Sequence, residues 1–417
     1  MWRKEMKQQL LKHCLRMPGY ILLLASMLAC SGNPGKPVNM TSTPPVLIDA
    51  PDPGLDSLRT YIKGFADREE TPGIELLLAK KGKIIFWEAY GFADTDFKKP
   101  FLKDTIVFLA SSTKPITTTA IMTLVDEGRL SLDAPVSTYL PGFDQLRTED
   151  GQPAPCPTIR QLLSHTSGWA GLQEMSPDAT MAIRDNELTL KESVEKISRE
   201  PLLAEPGTRF SYGGLSFNVA GRVAEVVSGT TFDVLIQEKV FTPLKMVDTT
   251  FRPTALQGER IAGIFKPAPW GGQLNLLRFN PEREQKLLMI GGGLYSTARD
   301  LATFLQMHLN RGQYGSVRIL SEKAVAEMQK HQIGNAELGF IPLETLTSYG
   351  LGWIRDSGVD EQTAHRVSHA GAFGSVAWID RERDLIGVLF TPMPLKDAYP
   401  IHKKIQARIR NLIPSGE

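Results

Sequence analysis

The stretch FLASSTKPITTTA, Phe108 to Ala120, holds a serine and, three places on, a lysine. A second pair with this spacing occurs at Ser193 and Lys196 in KESVEKISRE. Serine oxygen is a poor nucleophile until a base takes its proton, and a lysine three residues later on a helix lies on the same face. Spacing alone yields roughly one or two chance matches in a chain of this size, so context must separate the pairs. Ser193 lies among Glu192, Glu195, Lys196 and Arg199, which reads as a solvated helix face where carboxylates keep Lys196 charged. Ser111 follows the apolar TIVFLA and opens an apolar helix. Its backbone N–H and the positive helix end then face any developing oxyanion. Pro115 is tolerable in a first turn, although it is expected to bias Lys114 away from helical geometry.

The chain around this segment has 417 residues, 42% hydrophobic and 22% charged, with 47 Lys and Arg against 46 Asp and Glu. That is the balance of a globular protein with an ample core, and no basic field points to nucleic acid. Residues 1–30 differ: five basic residues precede the apolar run YILLLASMLA and then Cys30. The run is short for a membrane span and fits an export signal. MLAC resembles a lipoprotein signal, with Met27 where that motif usually has leucine; it implies a lipidated Cys30 and an anchored protein of the cell envelope or periplasm. Residues 31–54, rich in Pro, Gly, Ser and Thr, read as a tether. Cys14, Cys30 and Cys156 give no disulfide framework, and no Cys-x-x-Cys or His-Glu-x-x-His supports a metal site. No cofactor is expected, and nothing bears on oligomeric state.

Residues 73–94 read as two strands around a Lys-Gly turn. Ile116, Ala120, Leu124 and Val125 have helical spacing, with Gly128 as the stop. TIRQLLSH, NVAGRVAEVVSG and ARDLATFLQMHLNRG continue the helical pattern. Short apolar runs return in YGLGWIRD, AHRVSHAG, SVAWID and LIGVLFTP, before a closing helix in HKKIQARIRNLI. Strands at both ends imply one sheet built from both termini, with a helical lobe between and a cleft at their junction. The expected class is α+β, with a sheet lobe over 55–115 and 345–413 and a helical lobe over 116–344.

The segment LASSTKPITTTAIMTLVDEGRLSLDAPVSTYLP resembles the serine-acylating segment of the serine β-lactamase and penicillin-binding superfamily. Its nearest likeness is the class C β-lactamase-related branch, which also holds esterases and D-amino-acid peptidases. TIRQLLSHTSGW, EPGTRFSYGG, GGGLYSTARDLATFL, YGLGWIRD and SHAGAFGSVAWID follow in that branch's order, so the resemblance covers about residues 55 to 413. It implies a β-lactamase/D,D-peptidase-like fold with an antiparallel sheet from both chain ends, flanked by helices. It implies Ser111 as nucleophile, Lys114 as its proton partner, and Tyr212 as a base that needs help from the charge of Lys114. The strand triad corresponds to His369-Ala370-Gly371. Ala372 is implied to give the second oxyanion N–H, and Gly371 to admit substrate close to the strand.

Two departures bear on substrate. Gly214 replaces an asparagine that recognises acylamino groups, and His369 replaces a lysine that holds a carboxylate. Together they imply a small ester or amide as substrate, and an ester before a D-Ala-D-Ala peptide or β-lactam. The alternatives are a D,D-peptidase or D-aminopeptidase, a weak β-lactamase, or a silent ligand-binding lipoprotein. Segments 170–200 and 252–288 match no recognised block.

Overall fold

Strands from both ends of the chain meet in one sheet, as the termini's apolar runs imply. The computed structural model describes residues 45–94, 98–265, 285–341, 348–356 and 365–415. The early strands are β1 (Ile48–Asp49), β2 (Gly73–Lys80) and β3 (Lys83–Gly91); the late ones are β4 (Ile354–Arg355), β5 (Arg366–Ala370), β6 (Ser375–Asp380) and β7 (Leu385–Phe390). Their order is β1-β3-β2-β7-β6-β5-β4, antiparallel throughout except for β1 beside β3. Lys81 and Gly82 turn the first hairpin with φ of 52° and 75°, the left-handed pair that matches strand twist. Residues 45–54, expected as the end of a tether, are partly built into the fold. Ile48 N–H donates to Gly82 O at 3.0 Å and Ala50 N–H to Ile84 O at 2.9 Å.

β2 is buried on both faces, which is why GIELLLAK shows no polar alternation. Leu76 and Leu78 pack with Leu58, Ile62 and Phe65 of α1 (Asp56–Asp67) and with Ile401, Ile405 and Ile409 of α5 (Leu395–Leu412). Leu77 and Ala79 face the other way, into the core that holds Leu301, Phe304 and Leu305 of α4 (Ala298–Leu309). The sheet is thus sandwiched between helical layers. At its centre Gly387 leaves room for the Trp378 ring, which a β-carbon would strike.

The helix predicted from Ile116 is α2 (Lys114–Asp126), and Gly128 at φ 69° ends it. It is buried from Lys114 through Leu124. Thr119 Oγ1 donates to Pro115 O at 2.9 Å and Thr123 Oγ1 to Ala120 O at 2.7 Å, so these two hydroxyls can be buried. α3 (Leu215–Ser228), closed by Gly229 at φ 78°, packs against α2 and is buried along Leu215–Gly221. Residues 1–44, including the expected signal and Cys30, lie outside the described residues.

Candidate active site

Ser111 lies in the tight turn Ala110–Thr113 that feeds α2. Ala110 just before it is held at φ 44°, a conformation that costs a non-glycine residue about 1–3 kcal/mol and persists only where the surroundings impose it. Those surroundings are visible. Leu109 N–H donates to Leu294 O at 2.8 Å. Ser375 Oγ donates to Leu109 O at 2.8 Å, and Ser112 Oγ to His369 O at 3.2 Å. The turn is thereby stitched to β5 and β6 on one side and to the 289–294 loop on the other. Pro115 does not displace its predecessor: Lys114 is helical, at φ −56° and ψ −46°. The surrounding packing overrides the local bias.

Lys114 Nζ lies 3.3 Å from Ser111 Oγ and donates to Gly291 O at 2.7 Å. It sits 4.5 Å from the centroid of the Tyr212 ring and 5.2 Å from that of Phe217. The side chain is buried, and burial lowers its pKa from 10.5 to about 7. Tyr212 is equally buried, and burial drives its phenol upward against the opposing effect of a hydrogen bond to Ser111. Burial weakens the charge assistance expected for Tyr212, because it leaves Lys114 only partly protonated near pH 7. Desolvation drives both partners toward their neutral forms, and the amine is the one left with basicity near pH 7.

The loop that carries Gly291 O is held from both sides. Thr113 Oγ1 accepts from Leu294 N–H at 3.1 Å, and Asn218 Oδ1 of α3 accepts from Ile290 N–H at 3.2 Å. Asn218 Nδ2 in turn donates to Ser193 Oγ at 3.1 Å, and Ser193 Oγ to Ala182 O at 2.6 Å. Ser193 is thus fully buried rather than on a solvated face, while Lys196 is exposed. This pair is no Ser-Lys dyad.

His369 and Gly371 border the Ser111 turn. The β-carbon that Gly371 lacks would strike Leu109 O, so the close approach it permits is that of the Leu109 carbonyl. Ala372 is exposed at the start of the β5–β6 turn, and its carbonyl accepts from Leu395 N–H at 2.8 Å. His369 is buried; its Nδ1–H donates to Ala370 O at 3.0 Å, so its Nε2 accepts the Tyr349 hydroxyl at 3.1 Å. Burial and the nearby Lys114 lower its pKa to about 3. At Gly214, where the resemblance places an asparagine, a β-carbon would approach the Ile183 methyl at 2.9 Å. Among the described residues no group of three or more metal-ligating side chains occurs.

The sequence around His165, Asn218, Gly291 and Tyr349 assigns these residues no role. His165 is the second residue of SHTSG, whose glycine marks a turn, and Asn218 is a polar residue within an apolar helical pattern; those were the available signals.

A serine held at a helix entrance beside a desolvated lysine and a neutral tyrosine defines an acyl-transfer type of site. The chain belongs to the beta-lactamase family, whose model matches residues 58–399, and it is a serine hydrolase. It is 30% identical over 352 residues to the esterase EstB of Burkholderia gladioli, covering 76% of this chain and 85% of that protein. A Salmonella enteritidis protein, whose name proposes a D-alanyl-D-alanine carboxypeptidase, is 26% identical over 340 residues, covering 74% of this chain and 76% of that one. Among solved structures, EstCE1, a hydrolase with promiscuous acyltransferase activity, superposes with a TM-score of 0.72 at 24% identity. That match covers 86% of this chain and 98% of that one.

Proposed function

We propose that the protein hydrolyses uncharged carboxylic esters through an acyl-enzyme on Ser111. Neutral Lys114 takes the proton of Ser111 Oγ, and the oxygen attacks the ester carbonyl. The oxyanion meets the N–H groups of Ser111 and Ala372. The C–O bond to the alcohol breaks, and the proton passes to the departing alkoxide with the Tyr212 hydroxyl as relay. Water then attacks the acyl group, releasing the acid and returning a proton to Ser111.

The observation that carries the ester reading is His369. At the position where the resemblance places a carboxylate-holding lysine, the ring is buried, neutral near pH 7 and tied to Tyr349 and Ala370. It offers a substrate carboxylate no fixed charge. Gly214 packs on the Ile183 methyl and offers no amide to an acylamino group. The similarity to EstB supports the same reading.

The test is hydrolysis of a short-chain nitrophenyl ester set against release of D-alanine from a D-Ala-D-Ala peptide. Ester turnover is expected to dominate, to vanish in Ser111→Ala and to persist in Ser193→Ala. Faster peptide turnover would overturn the ester reading. Export and anchoring through Cys30 are also proposed, on the basic and apolar residues that precede it. Cys30→Ser is expected to move the protein from the membrane to the soluble fraction of its native cell. Among the described residues no helix is long and apolar enough to cross a membrane.

A further inference from the structure

Tyr212 is held on three sides by one residue. His165 C=O accepts the N–H of Ser211 at 2.9 Å, and His165 Nδ1 accepts the N–H of Gly213 at 3.3 Å. These are the two residues that flank Tyr212. The imidazole also packs on the Tyr212 ring, with centroids 4.4 Å apart, and the rings of Phe217, Tyr349 and Phe210 close around it at 5.1, 5.2 and 5.8 Å. Phe340 O and Leu172 N–H tie only the backbone of Tyr212 itself, each at 2.9 Å.

The form of the ring follows from these bonds. A backbone N–H can only donate, so Nδ1 must be unprotonated and the ring proton must sit on Nε2. That Nε2 is buried with no partner among the described residues. An unsatisfied buried donor costs about 1–3 kcal/mol. His165 also sits at φ 59°, a second cost for a residue other than glycine. An imidazolium would have to give up the bond from Gly213. Burial, with Lys114 and His369 nearby, pushes the His165 pKa well below the usual histidine value, so Nδ1 stays an acceptor.

We propose that His165 is a positioning residue for Tyr212, fixing the 211–213 backbone and the phenol ring so that the hydroxyl meets Ser111. The inference rests on the acyl-enzyme reading of Ser111 and Tyr212.

Three substitutions separate the parts of the clamp. His165→Gly keeps the backbone freedom and removes both acceptor and ring. His165→Asn tolerates the left-handed backbone and places Oδ1 where Nδ1 stands. His165→Gln keeps a polar side chain but moves its acceptor away from Gly213, and it stands in for the glycine variant should that one fail to fold. Each is assayed on a nitrophenyl ester, alone and combined with Tyr212→Phe, after thermal melts verify folding. The glycine or glutamine variant is expected to lose about 10–100-fold in kcat, as a misplaced catalytic group does, with KM within about threefold. Asparagine is expected to recover about tenfold of that loss. In the Tyr212→Phe background all three should change kcat by less than about twofold, because a group acting through Tyr212 has nothing left to position. Equal loss for asparagine and its acceptor-free partner, or an undiminished effect in the Tyr212→Phe background, overturns the proposal. Wild-type protein without ester turnover would instead overturn the function, and this inference with it.

Discussion

Replacing Lys114 by methionine should abolish turnover and, near neutral pH, stabilise the protein. A lysine that titrates at about 7 when folded and at 10.5 when unfolded binds less proton in the folded state across that interval. Stability contributed by this site therefore rises with pH from about 7 to 10.5, and the full penalty falls on the folded state below 7. Integrated, the penalty is about 4 kcal/mol at pH 7 and about 2 kcal/mol at pH 9. Methionine removes it at both values. It also leaves Gly291 O without the donor it has at 2.7 Å, a loss of about 1–3 kcal/mol that does not depend on pH. The variant should thus be more stable than wild type by about 1–3 kcal/mol at pH 7, and within about 1 kcal/mol of wild type at pH 9. Urea unfolding at the two pH values, followed by tryptophan fluorescence, reads the difference directly. A stability gap that is the same at pH 7 and pH 9 would refute the argument, because it would mean that Lys114 enters the folded state with its proton.

Two further outcomes follow from the same geometry. kcat/KM for an uncharged ester should rise about tenfold per pH unit below 7 and level off above it, since it reports the free enzyme's essential base; a profile still climbing at pH 9 would transfer the base role elsewhere. Asn218→Leu removes the anchor of Ile290 and the partner of Ser193, and should lower kcat about tenfold through the loosened Gly291 carbonyl while costing about 1–3 kcal/mol of stability, measured by ester kinetics and thermal melts.

What the sequence revealed was local. The hairpin at 73–91 was legible because Lys81-Gly82 carries its own turn chemistry, and α2 because its apolar spacing and Gly128 lie within one segment. The meeting of both termini in one sheet followed from short apolar runs recurring near the end of the chain. What escaped was set by partners distant in sequence. His165 acquires its role only when residues 211–213 fold across it, and Tyr349 only when β5 brings His369 alongside. Pairing of the exposed β1 with β3 could not be expected from a segment rich in proline. Ser193 is a different case, because its signal was present. Leu190, Ser193, Val194 and Ile197 fall at the spacing of one buried helix stripe, and all four are buried. The charged residues between them mask that period.

The contrast between the two serine–lysine pairs therefore turns on the lysine. Ser193 is more deeply buried than Ser111, and both hydroxyls are hydrogen-bonded. Burial of a serine makes it a structural donor, as Ala182 O shows. Burial of a lysine changes its chemistry. Lys196 stands exposed to water on the outer face of its helix. Lys114 is enclosed by Tyr212, Phe217 and the Gly291 loop, with a carbonyl rather than a carboxylate as its nearest acceptor. A carboxylate there would hold the proton on the amine and silence the base. The neutral acceptor orients Nζ without stabilising its charge, and that distinction turns a three-residue spacing into a site able to activate Ser111.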